Sequence, residues 1–133
     1  MVPVQARRRR LSQTLGSLII MIPDHIPVID ISYHYGANKN KDYREKCLQI
    51  GTAIITVFSE FEFIENNQVA ISRQKESPES FKLTFGELSD TGHQFCIEHL
   101  DKWLSSLDRL KDRSESNYIK TLRNRALKFK KSA

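Results

Sequence analysis

The chain has 133 residues, 39% of them hydrophobic, with 21 Lys and Arg, 16 Asp and Glu, two cysteines and a formal net charge of +5. That length holds one domain. Two lone cysteines, Cys47 and Cys96, without a CxxC partner, are expected as buried thiols in preference to a disulfide, and no apolar run approaches the ~18 residues of a membrane-crossing helix. The positive excess belongs to the ends. All 16 carboxylates fall between Asp24 and Glu115 alongside 11 Lys and Arg, so that body is net negative and the pI of 9.3 does not describe it.

Residues 1–20 contain Pro3 and four consecutive arginines, Arg7 to Arg10. Adjacent like charges repel, which predicts a flexible basic extension over 1–20 and a single α+β domain over 21–133. A start at Met21, just before Ile22-Pro23, is an alternative reading of the same boundary. The arginine run followed by Leu18–Ile22 has the charge order of a signal peptide. The apolar stretch is short and no small-x-small cleavage site follows, so a cytoplasmic location is expected.

From Val28 to Tyr35 the sequence is β-branched and aromatic, with Ile29, Ile31, Tyr33 and Tyr35 on one face, which predicts a half-buried strand. Asp42 is the expected N-cap of a central helix. In that helix Tyr43, Cys47, Ile50, Ile54 and Phe58 recur at helical spacing, widened by Leu48, Ile55 and Phe61. Asn66-Asn67 then marks a turn. Residues 68–73 and 80–86 both alternate at period two around a polar loop, predicting a β-hairpin. Ser89 is the expected N-cap of a long helix carrying the stripe Cys96, Leu100, Trp103, Leu107 and Leu110. A last helix from Tyr118 to about Phe129 is basic and amphipathic, with Ser116 a candidate cap. The expected fold class is therefore α+β: a small antiparallel sheet, with strands near 28–35, 68–73 and 80–86, packed against a central helix and two C-terminal helices.

The expected hairpin, with Leu83-Thr84 and the Leu88-Ser89-Asp90-Thr91-Gly92 turn into a long helix, resembles the wing and last helix of winged-helix regulators over residues 68–110. The resemblance implies DNA binding, although only one helix precedes the hairpin where that family carries a helix–turn–helix. Residues 83–109, with Lys102-Trp103-Leu104 and Asp108-Arg109, are also similar to segments of small uncharacterised bacterial proteins, which implies no activity.

The chemistry-bearing residues do not assemble into a catalytic or metal motif. His25, His34, His93 and His99 lack metal-ligand spacing, and His93 and His99, six apart on one helix, point in different directions. Cys96 and His99 stand at i, i+3, but Cys96 lies on the core stripe, where a buried thiol is expected. No glycine-rich loop cradles phosphate. No enzyme activity, cofactor or metal is expected.

What remains is charge. Glu60, Glu62, Glu65, Glu76, Glu79 and Glu87 gather around the expected hairpin and suit a basic partner protein, as in an immunity or antitoxin protein that masks a cationic toxin. The alternative is a nucleic-acid-binding regulator of degenerate winged-helix type using Lys120, Arg123, Arg125, Lys128, Lys130 and Lys131, with affinity that falls steeply with salt. The expected partner is thus a basic protein, with nucleic acid second and no membrane.

Overall fold

The computed structural model describes residues 22–37 and 40–132. The expected basic extension, residues 1–20, lies outside the described residues. The fold is α+β, with a two-stranded antiparallel sheet set among helices. Strand β1 (Pro27–Asp30) pairs with β2 (Lys82–Thr84), with Ile29 opposite Leu83, Asp30 opposite Lys82, and an irregularity between Pro27 and Ile29.

The first strand is shorter than the sequence predicts because its last residue is a helix cap. Asp30 Oδ1 accepts from the Tyr33 backbone N–H at 3.2 Å and from Ser32 Oγ at 2.7 Å. That satisfies an orphan donor of a first helical turn, and the chain continues as α1 (Ile31–Ala37) rather than as strand to residue 35. Ile31 stays buried at 1% exposure, whereas Tyr33, expected on the same face, stands 71% exposed. The hydroxyl of Tyr43 in turn lies 3.3 Å from His34 Nδ1.

Helix α2 (Lys41–Glu60) is the expected central helix, with Cys47, Ala53, Ile54, Ile55, Val57 and Phe58 buried. Its N-cap is Asn40, whose Oδ1 accepts from the Tyr43 N–H at 3.0 Å, and Asp42 sits instead in the first turn. The helix ends in a Schellman closure. Phe63 N–H donates to Phe58 O at 2.8 Å, Glu62 N–H reaches back to Ser59 O, and Glu62 takes φ 59° at the position glycine usually fills. The hydrophobic contact that accompanies such a closure is the edge-on pairing of Phe58 and Phe63, with ring centroids 5.4 Å apart.

Residues 68–73 are not the strand that their alternation predicts but part of α3 (Asn67–Glu76), so the predicted hairpin does not form. Asn66, read as part of a turn, is the N-cap, its Oδ1 accepting from Val69 N–H at 3.3 Å. The alternating apolar residues fit a helix that buries little: Ala70 is buried and Val69 is 51% exposed. The expected strand over 80–86 contracts to β2, flanked by 3-10 turns at Pro78–Ser80 and Phe85–Glu87. Thr84 and Glu87 form a reciprocal capping box that ends the strand. β2 therefore finds its partner in β1, some fifty residues earlier in the chain, instead of in its immediate predecessor.

The expected long helix is α4, which runs continuously through Asp90–Phe95, a π turn at Cys96–Leu100, and Asp101–Ser106. Ser89 caps it as predicted, its Oγ accepting from Gly92 N–H at 3.1 Å. Cys96, Leu100, Trp103 and Leu107 are buried, so the stripe is the core face. The final helix, α5 (Glu115–Ser132), starts earlier than expected because Ser114 Oγ accepts from Asn117 N–H at 3.3 Å. Tyr118, Leu122, Ala126 and Phe129 pack α5 along α2. Trp103 is fully buried and its indole N–H donates to Thr121 Oγ1 at 3.0 Å, tying α4 to α5. The buried residues of all these elements form one cluster.

Candidate functional site

The six candidate carboxylates do not act as one set. Glu60 is engaged from α5 by Arg123, whose Nε and Nη2 reach both carboxylate oxygens at 2.9–3.1 Å. Glu87 accepts from Arg73 Nη1 at 2.5 Å and from the backbone N–H and hydroxyl of Thr84. Burial pushes the Glu87 carboxyl up, but the Arg73 guanidinium and the Thr84 donors outweigh it and hold the group below the usual carboxylate range. The other four, Glu62, Glu65, Glu76 and Glu79, are exposed. Glu62 and Glu65 lie before α3, and Glu76 and Glu79 lie at its far end, so α3 separates them into two pairs.

The six candidate bases fare differently. Arg123 is taken by Glu60. Lys120, Arg125, Lys128, Lys130 and Lys131 form no ion pair among the described residues. Lys120, Lys128, Lys130 and Lys131 are exposed, and Arg125 is half-buried. All five ride on one helix whose apolar side is docked, which keeps their charges on a fixed surface.

A third feature lies apart from both sets. A groove of about 500 Å³ opens between β1, α1 and α2, closed at one side by Leu104 of α4. Its apolar lining includes Val28, Ile29, Ile50 and Leu104, and Tyr33 projects at its edge. Polar groups are few: Asp30, His34, the Tyr43 hydroxyl, the Cys47 thiol and Lys46. Lys46 pairs with Asp108 at 2.5 Å. Asp42, Glu45 and Arg113 line a neighbouring recess that shares Tyr43 and Lys46, so charged groups, two carboxylates among them, flank the groove. The sequence pattern does not reveal it, because Tyr33 and His34 equally fit successive strand positions. The signal that finds it is Asp30 followed two and three residues later by Ser32 and Tyr33, the spacing of a side-chain cap.

The nucleophile candidates are quiet. Burial pushes the Cys47 thiol up, more than Tyr43 and Lys46 draw it down. Cys96 is 6% exposed and burial drives its thiol far above the ordinary range. His99 stands nearby on the same π turn, and its proton affinity is lowered, chiefly by desolvation and then by the charges of Lys102 and Arg125 against that of Glu98. A neutral thiol beside a neutral imidazole is not an activated pair at neutral pH. Among the described residues no three His, Cys, Asp or Glu side chains converge to hold a metal ion, and no helix is long and apolar enough to cross a membrane.

Fold and surface together define a small, helix-rich α+β protein with an apolar groove and a basic terminal helix. No protein-family profile, curated protein or solved structure matches the chain.

Proposed function

We propose that this chain is a small non-catalytic protein-binding module that captures a basic partner in the cytoplasm, in the manner of an immunity or antitoxin-type inhibitor. The observation that carries the reading is the groove. Protein interfaces combine a desolvated apolar centre with a polar rim, and here an open apolar recess is flanked by Asp30, Asp42 and Glu45 and edged by an exposed tyrosine. Tyrosine anchors of this kind supply a large share of binding energy. Carboxylates outside internal ion pairs speed capture of a cationic partner. Where a neighbouring reading frame encodes a basic protein, the test is co-expression with that protein, followed by size-exclusion chromatography with light scattering. A stoichiometric complex is expected, weakened about tenfold or more by Tyr33→Ala and slower to form at high salt. A complex indifferent to Tyr33→Ala, or no complex, defeats the reading.

A second reading rests on α5. Its five cations outside internal pairs, fixed on one helix, suit a polyanion such as nucleic acid, through backbone charge and not through a wing. Binding of the full chain to duplex DNA and single-stranded RNA at about 50 and 200 mM salt tests it, since phosphate contacts make affinity fall steeply with salt. Salt-insensitive or absent binding removes it.

A further inference from the structure

Between α4 and α5 lies a separate recess of about 330 Å³, lined by His99 from the π turn and by Thr121, Asn124, Arg125 and Lys128 from α5. The four α5 residues are spaced i, i+3, i+4 and i+7, which aligns them as one stripe on the helix. A π turn inserts extra backbone into a helix and frequently accompanies functional sites, and here it carries His99. The imidazole is held in place: it stacks on Phe95 with centroids 5.4 Å apart and meets Phe129 edge-on at 5.6 Å. One wall is equally fixed, because Thr121 Oγ1 receives the Trp103 indole N–H and donates to Tyr118 O.

We propose that this recess binds a phosphate group, with Arg125 as the bidentate donor, Lys128 as the second cation and Asn124 and His99 as neutral hydrogen-bonding partners. The proposal deepens the polyanion reading of α5 and rests on it. Arginine's planar fork matches two phosphate oxygens at once, and charge-assisted bonds of that kind are the strong ones. Arg125 and Lys128 form no ion pair among the described residues, so neither must leave a carboxylate to take a ligand. The carboxylate whose charge His99 feels is Glu98, which accepts from Gln94 one turn back on its own helix. Lys102 adds a third positive charge on the α4 side, felt at His99 together with that of Arg125.

The test is NMR of the full chain, following the His99 ring and Asn124 side-chain amide at constant pH and ionic strength. One arm titrates inorganic phosphate and the other a single-stranded RNA 12-mer. Saturable shifts with phosphate are expected, weakened about tenfold by Arg125→Gln, the loss of one charge-assisted contact. Lys128→Gln, at an exposed position, is expected to weaken them as well. Lys130→Gln with Lys131→Gln should leave phosphate binding intact and weaken the RNA. If phosphate saturates the site and RNA does not bind, the phosphate site stands and the polyanion reading falls. If RNA binds without moving His99 or Asn124, the polyanion reading stands and this site is overturned. No saturable shift, or shifts that Arg125→Gln leaves unchanged, marks an adventitious ion only and overturns the proposal.

Discussion

Arg123 and Glu60 meet in a bidentate ion pair, with Arg123 Nη2 2.9 Å from Glu60 Oε1. The contact joins the end of α2 to the middle of α5, and it joins two residues that sequence reading assigned to opposing functions. Each is cancelled by the other. The side chains are 39% and 44% exposed, so solvent screens the pair. A double-mutant cycle with Arg123→Ala and Glu60→Ala, read by urea denaturation, should give a coupling of about 0.2–1 kcal/mol. Arg123→Gln should also weaken polyanion binding less than Arg125→Gln, because its charge is already spent internally. Equal losses from the two would show that the pair opens on binding.

Gly92 illustrates a tighter constraint. It lies in the first turn of α4, where alanine ordinarily gains about 1 kcal/mol of helix propensity. A Cβ here would stand 2.2 Å from the carbonyl oxygen of Phe63 and 2.8 Å from its Cβ. Because the obstacle is backbone, overpacking wins, and Gly92→Ala should lose about 3 kcal/mol. A melting temperature equal to or above that of the parent chain would refute the close approach.

Glu87 makes stability depend on pH. Its carboxyl is held below its ordinary value in the fold, so the folded state binds fewer protons than the unfolded chain as both begin to titrate. The stabilisation is therefore fully present above the unfolded-state value and is lost as pH falls through the folded one. Denaturant midpoints of the parent and of Glu87→Gln should differ most near pH 7 and converge once pH has fallen below the folded-state value. A difference that does not change with pH would assign the effect of the substitution to something other than this charge.

The two thiols should be inert in the folded chain. Cys47 and Cys96 are each 6% exposed, and burial raises both thiols away from the reactive thiolate. Iodoacetamide at about pH 8, followed by mass spectrometry, should leave both unmodified over a time in which denaturant renders both reactive. Rapid native alkylation of Cys96 would reopen a nucleophilic role with His99.

The parts of the fold legible in the sequence are those where burial and periodicity agree. The stripe from Tyr43 to Phe58 and that from Cys96 to Leu107 each bury one face, and both helices stand where the spacing puts them. The strand assignments went astray where a short polar side chain decides between turn and cap. Asp30 lies within one period-two pattern and Asn66 stands just before another, and both accept a backbone N–H three residues on. The local pattern is compatible with either geometry, and tertiary packing selects between them. The charge sets were visible as composition, but no spacing rule reveals that Arg123 reaches Glu60 across 63 positions, nor that the groove exists.

The Schellman closure of α2 carries one more implication. Glu62 occupies a left-handed backbone position that disfavours any residue with a side chain by about 1–2 kcal/mol. Allowing for glycine's greater freedom when unfolded, Glu62→Gly should still stabilise the chain by about 0.5–1 kcal/mol, measurable as a higher denaturant midpoint. Random libraries screened only for thermal endurance should therefore drift toward glycine at this position, whereas screens for partner capture should keep the acid. Comparing the two outcomes would reveal whether that carboxylate is kept for what it meets outside the molecule.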